Sequence, residues 1–150
     1  MVDSRDKGSR AETVVRDYLR NSTKLKWERV PGSGALDEKH GLKGDLYVPG
    51  EKNAYCIEVK HYAEDHLTSK ILSGKSPQLF EWWEQCLRQG RQVNKLPLLI
   101  FKHDRSKLFA AYENMPYNDY LYVYINHYTS HPFYVSLLDD FLNDNPKFIV

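Results

Sequence analysis

The most constraining stretch of this chain is Ala54-Tyr55-Cys56-Ile57-Glu58-Val59-Lys60. An apolar run this short, rich in β-formers and preceded by the turn cluster Pro49-Gly50-Glu51-Lys52-Asn53, predicts a buried strand over residues 54–60. Side chains alternate along a strand, so Tyr55, Ile57 and Val59 point one way and Cys56, Glu58 and Lys60 the other. An isolated carboxylate at the end of so apolar a run is costly unless it is paired or metal-bound. Residues 45–48 predict a preceding strand, and the turn joins the two into a hairpin.

The rest of the chain arranges itself around that hairpin. Residues 1–8 read as a polar, basic arm. Ser9-Arg10-Ala11-Glu12 matches a capping box. Ala11, Val14, Val15, Tyr18 and Leu19 then recur at helical spacing, predicting a helix over 10–20. Lys26 to Val30 is a short strand, and Pro31-Gly32-Ser33-Gly34 opens a polar loop running to Lys43. Residues 61–75 form a loop or lid. Ser76-Pro77 starts a second helix that reaches Arg88, with Gly90 at its end. Leu96 to Lys102 and Lys107 to Tyr112 are two further strands. Seven of the eleven tyrosines lie between Tyr112 and Tyr134. Leu121 to Ile125 is a strand or an extended arm, Tyr134 to Leu142 looks helical, and Phe148-Ile149-Val150 is an apolar end. The order is α, β, β, β, α, β, β and then a tail, which predicts an α/β fold with one central sheet between helices. With 150 residues, 41% of them hydrophobic, this is one domain, its core over 8–112 and a C-terminal extension over 113–150.

Asp45 and Glu58 have twelve residues between them. Antiparallel pairing brings the start of one strand close to the end of the next, with cross-strand neighbours roughly 5 Å apart. Two carboxylates at that range raise one another's pKa unless a cation sits between them. Oxygen ligands, with the neighbouring backbone carbonyl of Val59, favour Mg²⁺, with Mn²⁺ as its substitute. Such a metal polarises a phosphoryl oxygen and generates hydroxide at neutral pH. Lys60, on the same face as Glu58, orients the attacking water or stabilises charge growing on the phosphate. This is the equipment of phosphodiester hydrolysis. An acidic strand start and a Glu-x-Lys on a solvated edge strand is the alternative for the same residues.

Other features narrow the setting. The longest apolar run, Leu96 to Phe101, is far short of the ~20 residues a membrane span needs, so no membrane partner is expected. The charged N-terminus lacks the apolar stretch of a signal peptide. Cys56 and Cys86 have no metal-ligand spacing and read as buried free thiols, which fits a cytoplasmic setting. The formal net charge is only +1, yet residues 1–110 carry 20 Lys and Arg against 15 Asp and Glu, while residues 111–150 carry 1 against 5. The basic part suits a polyanion.

Gly44-Asp45…Glu58-Val59-Lys60, preceded by a helix bearing Glu12, resembles the PD-(D/E)XK nuclease superfamily. Within it, Lys7-Gly8-Ser9-Arg10-Ala11-Glu12 is similar to the start of archaeal-type Holliday junction resolvases, which also occur in viruses. Gly32-Ser33-Gly34 stands where those proteins carry a glycine- and serine-containing loop. The resemblance covers residues 7–112 and implies a restriction-endonuclease-like domain with a mixed sheet, leaving the tyrosine-rich tail as an extra segment. It implies Asp45 and Glu58 as metal ligands, Lys60 as the catalytic lysine, Glu12 as a helix acid assisting the metal, and Ser33 as a serine approaching the scissile phosphate. It also implies a homodimer that nicks a four-way DNA junction at two symmetric places. Gly44 departs from the family, which usually has proline before the aspartate, and the loop between Ser33 and Asp45 is longer than the family's.

Arg5, Lys7, Arg10, Arg29, Lys39, Lys43, Lys70 and Lys75 are the candidates for DNA-backbone contacts, which together give salt-dependent binding. Part of the sheet and the second helix, with Trp82 and Trp83, are the expected dimer face, extended by the tyrosines of the tail. The cytoplasm, that of the host for a viral protein, is the expected compartment. Other readings are a repair nickase, a restriction-type duplex endonuclease, or a DNA-binding module without catalysis.

Overall fold

A computed structural model describes residues 4–31, 42–73, 77–128 and 130–144, with the side chains of residues 4–7 outside the description. Among these described residues, seven strands form one sheet in the order β1-β2-β3-β4-β5-β7-β6. They are β1 (Glu28–Arg29), β2 (Leu46–Tyr47), β3 (Tyr55–Tyr62), β4 (Leu96–His103), β5 (Phe109–Tyr112), β6 (Tyr122–Ile125) and β7 (Phe133–Leu137). The helices are α1 (Ser4–Thr23), α2 (Gln78–Gln92) and α3 (Leu138–Asp144), and a 3-10 turn spans Ser69–Leu72. Among the described strands only β3 and β4 pair in parallel, joined by a crossover through α2; the other pairings are antiparallel.

Strand alternation divides the core in two. Tyr55, Ile57 and Val59 of β3 and Leu98 and Ile100 of β4 pack under α1 and α3, against Val15, Leu19, Leu138 and Phe141. Leu99 and Phe101 of β4 face the other way, onto Trp82, Trp83, Cys86 and Leu87 of α2. The fold is therefore mixed α/β, a sheet covered on both faces. Among the described residues, no helix is long and apolar enough to cross a membrane. Both cysteines are buried free thiols.

Several expectations need correction. The N-terminal arm is partly helix, since α1 begins at Ser4. Residues 4–8 contain no proline, and each residue added to an existing helix gains a hydrogen bond once nucleation is over. Ser9 is therefore interior: its carbonyl accepts the Thr13 hydroxyl at 3.0 Å, and Glu12 binds Arg29 instead of closing a capping box. Gly90 does not end α2 but lies within it. A Cβ there would sit 2.7 Å from the Lys95 carbonyl, so the glycine admits a tight return, closed by the Lys95 N–H on the Gly90 carbonyl.

Residues 134–142 are not one helix. Phe133 and Val135 are buried against the α2 layer while Tyr134 packs on the opposite core, a period of two, and the chain turns helical only at Leu138. The segment after Glu113 joins the same sheet, with β7 inserted between β5 and β6. The expected loop over 61–75 is also shorter at its start, because β3 runs to Tyr62. Residues 148–150 lie outside the described residues.

Candidate active site

Asp45 is held at three atoms, two by β3 and one by the chain just after β1. Its N–H donates to the Ile57 carbonyl at 2.6 Å, and its carbonyl accepts the Val30 N–H at 2.9 Å. Its Oδ2 accepts the Val59 N–H at 2.7 Å. The last pair of the β2–β3 ladder is Leu46 with Ile57, so beyond it β3 keeps β4 on one edge but has no strand on the β2 side, where the aspartate side chain takes that role. Gly44 allows the chain to leave the ladder there. Its φ is +84°, and a Cβ would lie 2.5 Å from the Ile57 carbonyl oxygen. Proline, fixed near −65°, cannot adopt that φ, which accounts for the departure from the family's usual proline.

Register places Glu58 across from Asp45, as the spacing predicts. Glu58 is 5% exposed, and the two carboxyls are in hydrogen-bonding contact. Burial pushes Asp45 well above the usual carboxylate range, with the charges of Glu58 and Glu12 adding to it; the Val59 N–H opposes the shift. Burial also raises Glu58, against the pull of Lys60, Asp45 and the Gln89 amide. Lys60, half-buried, follows Glu58 on the same face of β3. Glu12 reaches the cluster from α1, its Oε2 2.9 Å from Arg29 Nε. Among the described residues, no three acidic, histidine or cysteine side chains form a closed metal-binding group.

The donor set suits a hard divalent cation. It consists of oxygens, and the two carboxyls are buried with too little positive charge around them, which a cation would relieve. In an extended strand a residue's N–H and C=O leave on the same side, so the Val59 carbonyl shares the Asp45 edge. Asp45, Glu58 and that carbonyl would hold the metal, with Glu12 behind them.

The remaining candidates are spread more widely. Arg29 is engaged by Glu12. Arg10 is exposed and lines a cleft of about 500 Å³ with Lys60, His61 and Lys102. His61 Nε2 lies 3.0 Å from Asp104 Oδ1. Lys43 is half-buried near Cys56, and Lys70 is exposed on the 3-10 turn. Ser33, Lys39 and Lys75 lie outside the described residues, as do the side chains of Arg5 and Lys7. Trp82 and Trp83 are buried in the α2 layer, leaving the outer face of α2 polar. Burial, with the charges of Glu58 and Asp45, pushes the Cys56 thiol up to about 12, so it stays protonated and is no nucleophile.

Gln89 escaped the sequence reading, which takes it as a solvated helix position. Its amide contacts Glu58, and its Oε1 is buried without a hydrogen-bond partner. The signal was present: Gln89 lies seven residues after Trp82 and three after Cys86, on the buried stripe of α2.

A family model described as "Phage putative PDDEXK endonuclease" matches residues 3–143. Protein D14 of Escherichia phage T5 is 50% identical over 116 residues, covering 75% of this chain and 72% of that protein. Among solved structures, Archaeoglobus fulgidus Hjc, a Holliday junction resolvase from an archaeal hyperthermophile, aligns over 89% of this chain and 90% of its own. That alignment has 16% identity and a TM-score of 0.46.

Proposed function

The chain belongs to the phage PDDEXK endonuclease family, and on that premise we propose that it is a metal-dependent endodeoxyribonuclease that resolves four-way DNA junctions by paired symmetrical nicks. The observation that carries the nuclease reading is the buried Asp45–Glu58 carboxyl pair, with Lys60 on the same strand face. A bound Mg²⁺, or Mn²⁺ in its place, supplies Lewis-acid activation of the phosphodiester and of a water.

The chain's own groups do the rest. The Val59 N–H fixes the Asp45 carboxylate, and Gln89 fixes that of Glu58. Lys60 stabilises the charge that develops on the phosphate and orients the attacking water. Glu12, restrained by Arg29, assists the metal through water. Ser33 approaches the scissile phosphate. Arg5, Lys7, Arg10, Lys39, Lys43, Lys70 and Lys75 bind the DNA backbone, and Arg29 joins them only where it leaves Glu12. Preference for a junction over duplex rests on the resemblance of residues 7–12 to the resolvases. The process served is DNA recombination or repair in the host cytoplasm.

Paired nicking needs two copies, and we place the contact at the β6 edge. The opposite edge of the sheet, β1, is protected by the exposed charges Glu28 and Arg29. The β6 edge carries exposed Tyr122, Val123 and Tyr124 with neither lysine nor proline. Antiparallel pairing of β6 with its own copy sets Tyr opposite Tyr on one face and Val or Ile opposite Val or Ile on the other, which is self-complementary.

The test is cleavage of a labelled four-way junction and its matched linear duplex with Mg²⁺, by wild type and by Glu58→Gln. Symmetric nicks in the junction alone, absent in the variant, are expected. Equal cutting of both substrates would leave a nuclease and remove the resolvase. Junction binding with no cutting would leave a binding module.

A further inference from the structure

Beyond Lys60 the same face of β3 continues to Tyr62. Residues two apart on a strand are separated by about 7 Å, comparable with one step of an extended sugar–phosphate backbone. The Tyr62 ring stacks on Trp82, with centroids 4.9 Å apart and planes 27° apart. His66 meets both rings edge-on, at 5.8 Å from Tyr62 and 4.6 Å from Trp82. Trp82 is only 4% exposed and belongs to the α2 core, yet Tyr62 remains 45% exposed. The result is a braced aromatic shelf whose outer ring faces solvent one step from the catalytic lysine.

We infer that Tyr62, backed by Trp82 and His66, is a stacking site for an unstacked nucleobase next to the scissile phosphate. This rests on the nuclease reading of the Asp45–Glu58–Lys60 site. A solvent-facing ring binds any base through its π-face, without reading its identity. In continuous duplex both faces of a base are covered by its neighbours, so the shelf has a ligand only where stacking is broken, as at a branch point, a flap or an end. Such a site selects a DNA shape with no contact to base edges. It also holds the strand after the base has swung out, which fixes the phosphate against Lys60. Tyr62 is a positioning residue, since it touches the base and not the reacting atoms.

The experiment uses the full chain with Glu58→Gln, so that DNA is bound and not cut. A four-way junction carries 2-aminopurine at the nucleotides flanking the branch, and stacking on an aromatic ring quenches its fluorescence. Quenching is expected in the parent and in Tyr62→Phe. Tyr62→Leu keeps an apolar cover over Trp82 and removes the ring; it is expected to abolish quenching and weaken junction binding about tenfold, with an unchanged melting temperature. Quenching that survives Tyr62→Leu, or a parent that binds the junction without quenching, overturns the inference. Metal-dependent cleavage by the wild-type chain is measured beside it. Cleavage without quenching removes the stacking site alone, and quenching without cleavage removes the nuclease reading alone. A parent that binds no DNA removes both.

Discussion

The backbone N–H of Val59 lies 2.7 Å from the Oδ2 of Asp45. A sheet hydrogen bond has been taken over by a side chain, so the position of the aspartate is fixed by the edge of the hairpin and not by a loop. The carboxylate opposite, Glu58, is buried with it, and burial raises both carboxyls, a stress that a bound cation would relieve.

That stress has a pH signature. The pair is protonated in both folded and unfolded chains below the ordinary carboxylate range, about pH 4. As pH rises above it, the unfolded chain ionises while the fold resists, so the metal-free protein loses stability until the raised folded values are passed. Asp45→Asn keeps an acceptor for the Val59 N–H. It is expected to stabilise the metal-free protein at pH 7 and so to raise its melting temperature there. Thermal melts at pH 4 and pH 7 check this, the difference vanishing at the lower pH.

The same substitution, or Glu58→Gln, is expected to lower the cleavage rate at least about 100-fold while junction affinity persists. Lys60→Ala should lose cleavage on a similar scale and keep its affinity for Mn²⁺. Single-turnover cleavage beside Mn²⁺ titration separates the two roles; wild-type rates in either carboxylate variant would displace the assigned site.

Gln89→Leu removes the brace on Glu58 together with an unpartnered buried oxygen. Metal affinity is expected to fall about 10- to 100-fold, as for other groups that orient a ligand, with no loss in melting temperature. Calorimetric Mn²⁺ titration reads the first and a thermal scan the second.

Gly44→Ala places a Cβ against the Ile57 carbonyl in a backbone conformation that L-residues avoid. The left-handed conformation alone costs about 1–2 kcal/mol. A drop in the urea midpoint with loss of cleavage is expected, and a variant of wild-type stability would mean that the hairpin tolerates another path.

Val123→Lys puts a charge on the β6 edge at a side chain that is half exposed. If that edge joins two copies, sedimentation should show dimer association weakened at least about tenfold, toward monomer. A dimer unaffected by the lysine would move the interface elsewhere.

Much of the site was legible in the sequence because its signals are local. The apolar run over 54–57 ending in Glu58 marks a strand, the turn at 49–53 makes a hairpin, and an even number of residues places Glu58 and Lys60 on one face. The spacing from Asp45 then fixes which carboxylates meet. The reach of α1, the strand at 133–137 and the place of β7 inside the sheet were not legible, because short apolar segments fit a helix or a strand equally well until a neighbour supplies the pairing. The partners of Glu12 and Glu58 belong to the same class. Arg29 is 17 residues from Glu12 and Gln89 is on another element, so no spacing rule links them. The sequence alone determined that Asp45 and Glu58 meet across the hairpin with Lys60 on the same face as Glu58, since strand period and turn geometry act within a dozen residues. Only the tertiary structure decided how those groups are charged, braced and exposed, because burial and long-range contacts are properties of the packed chain.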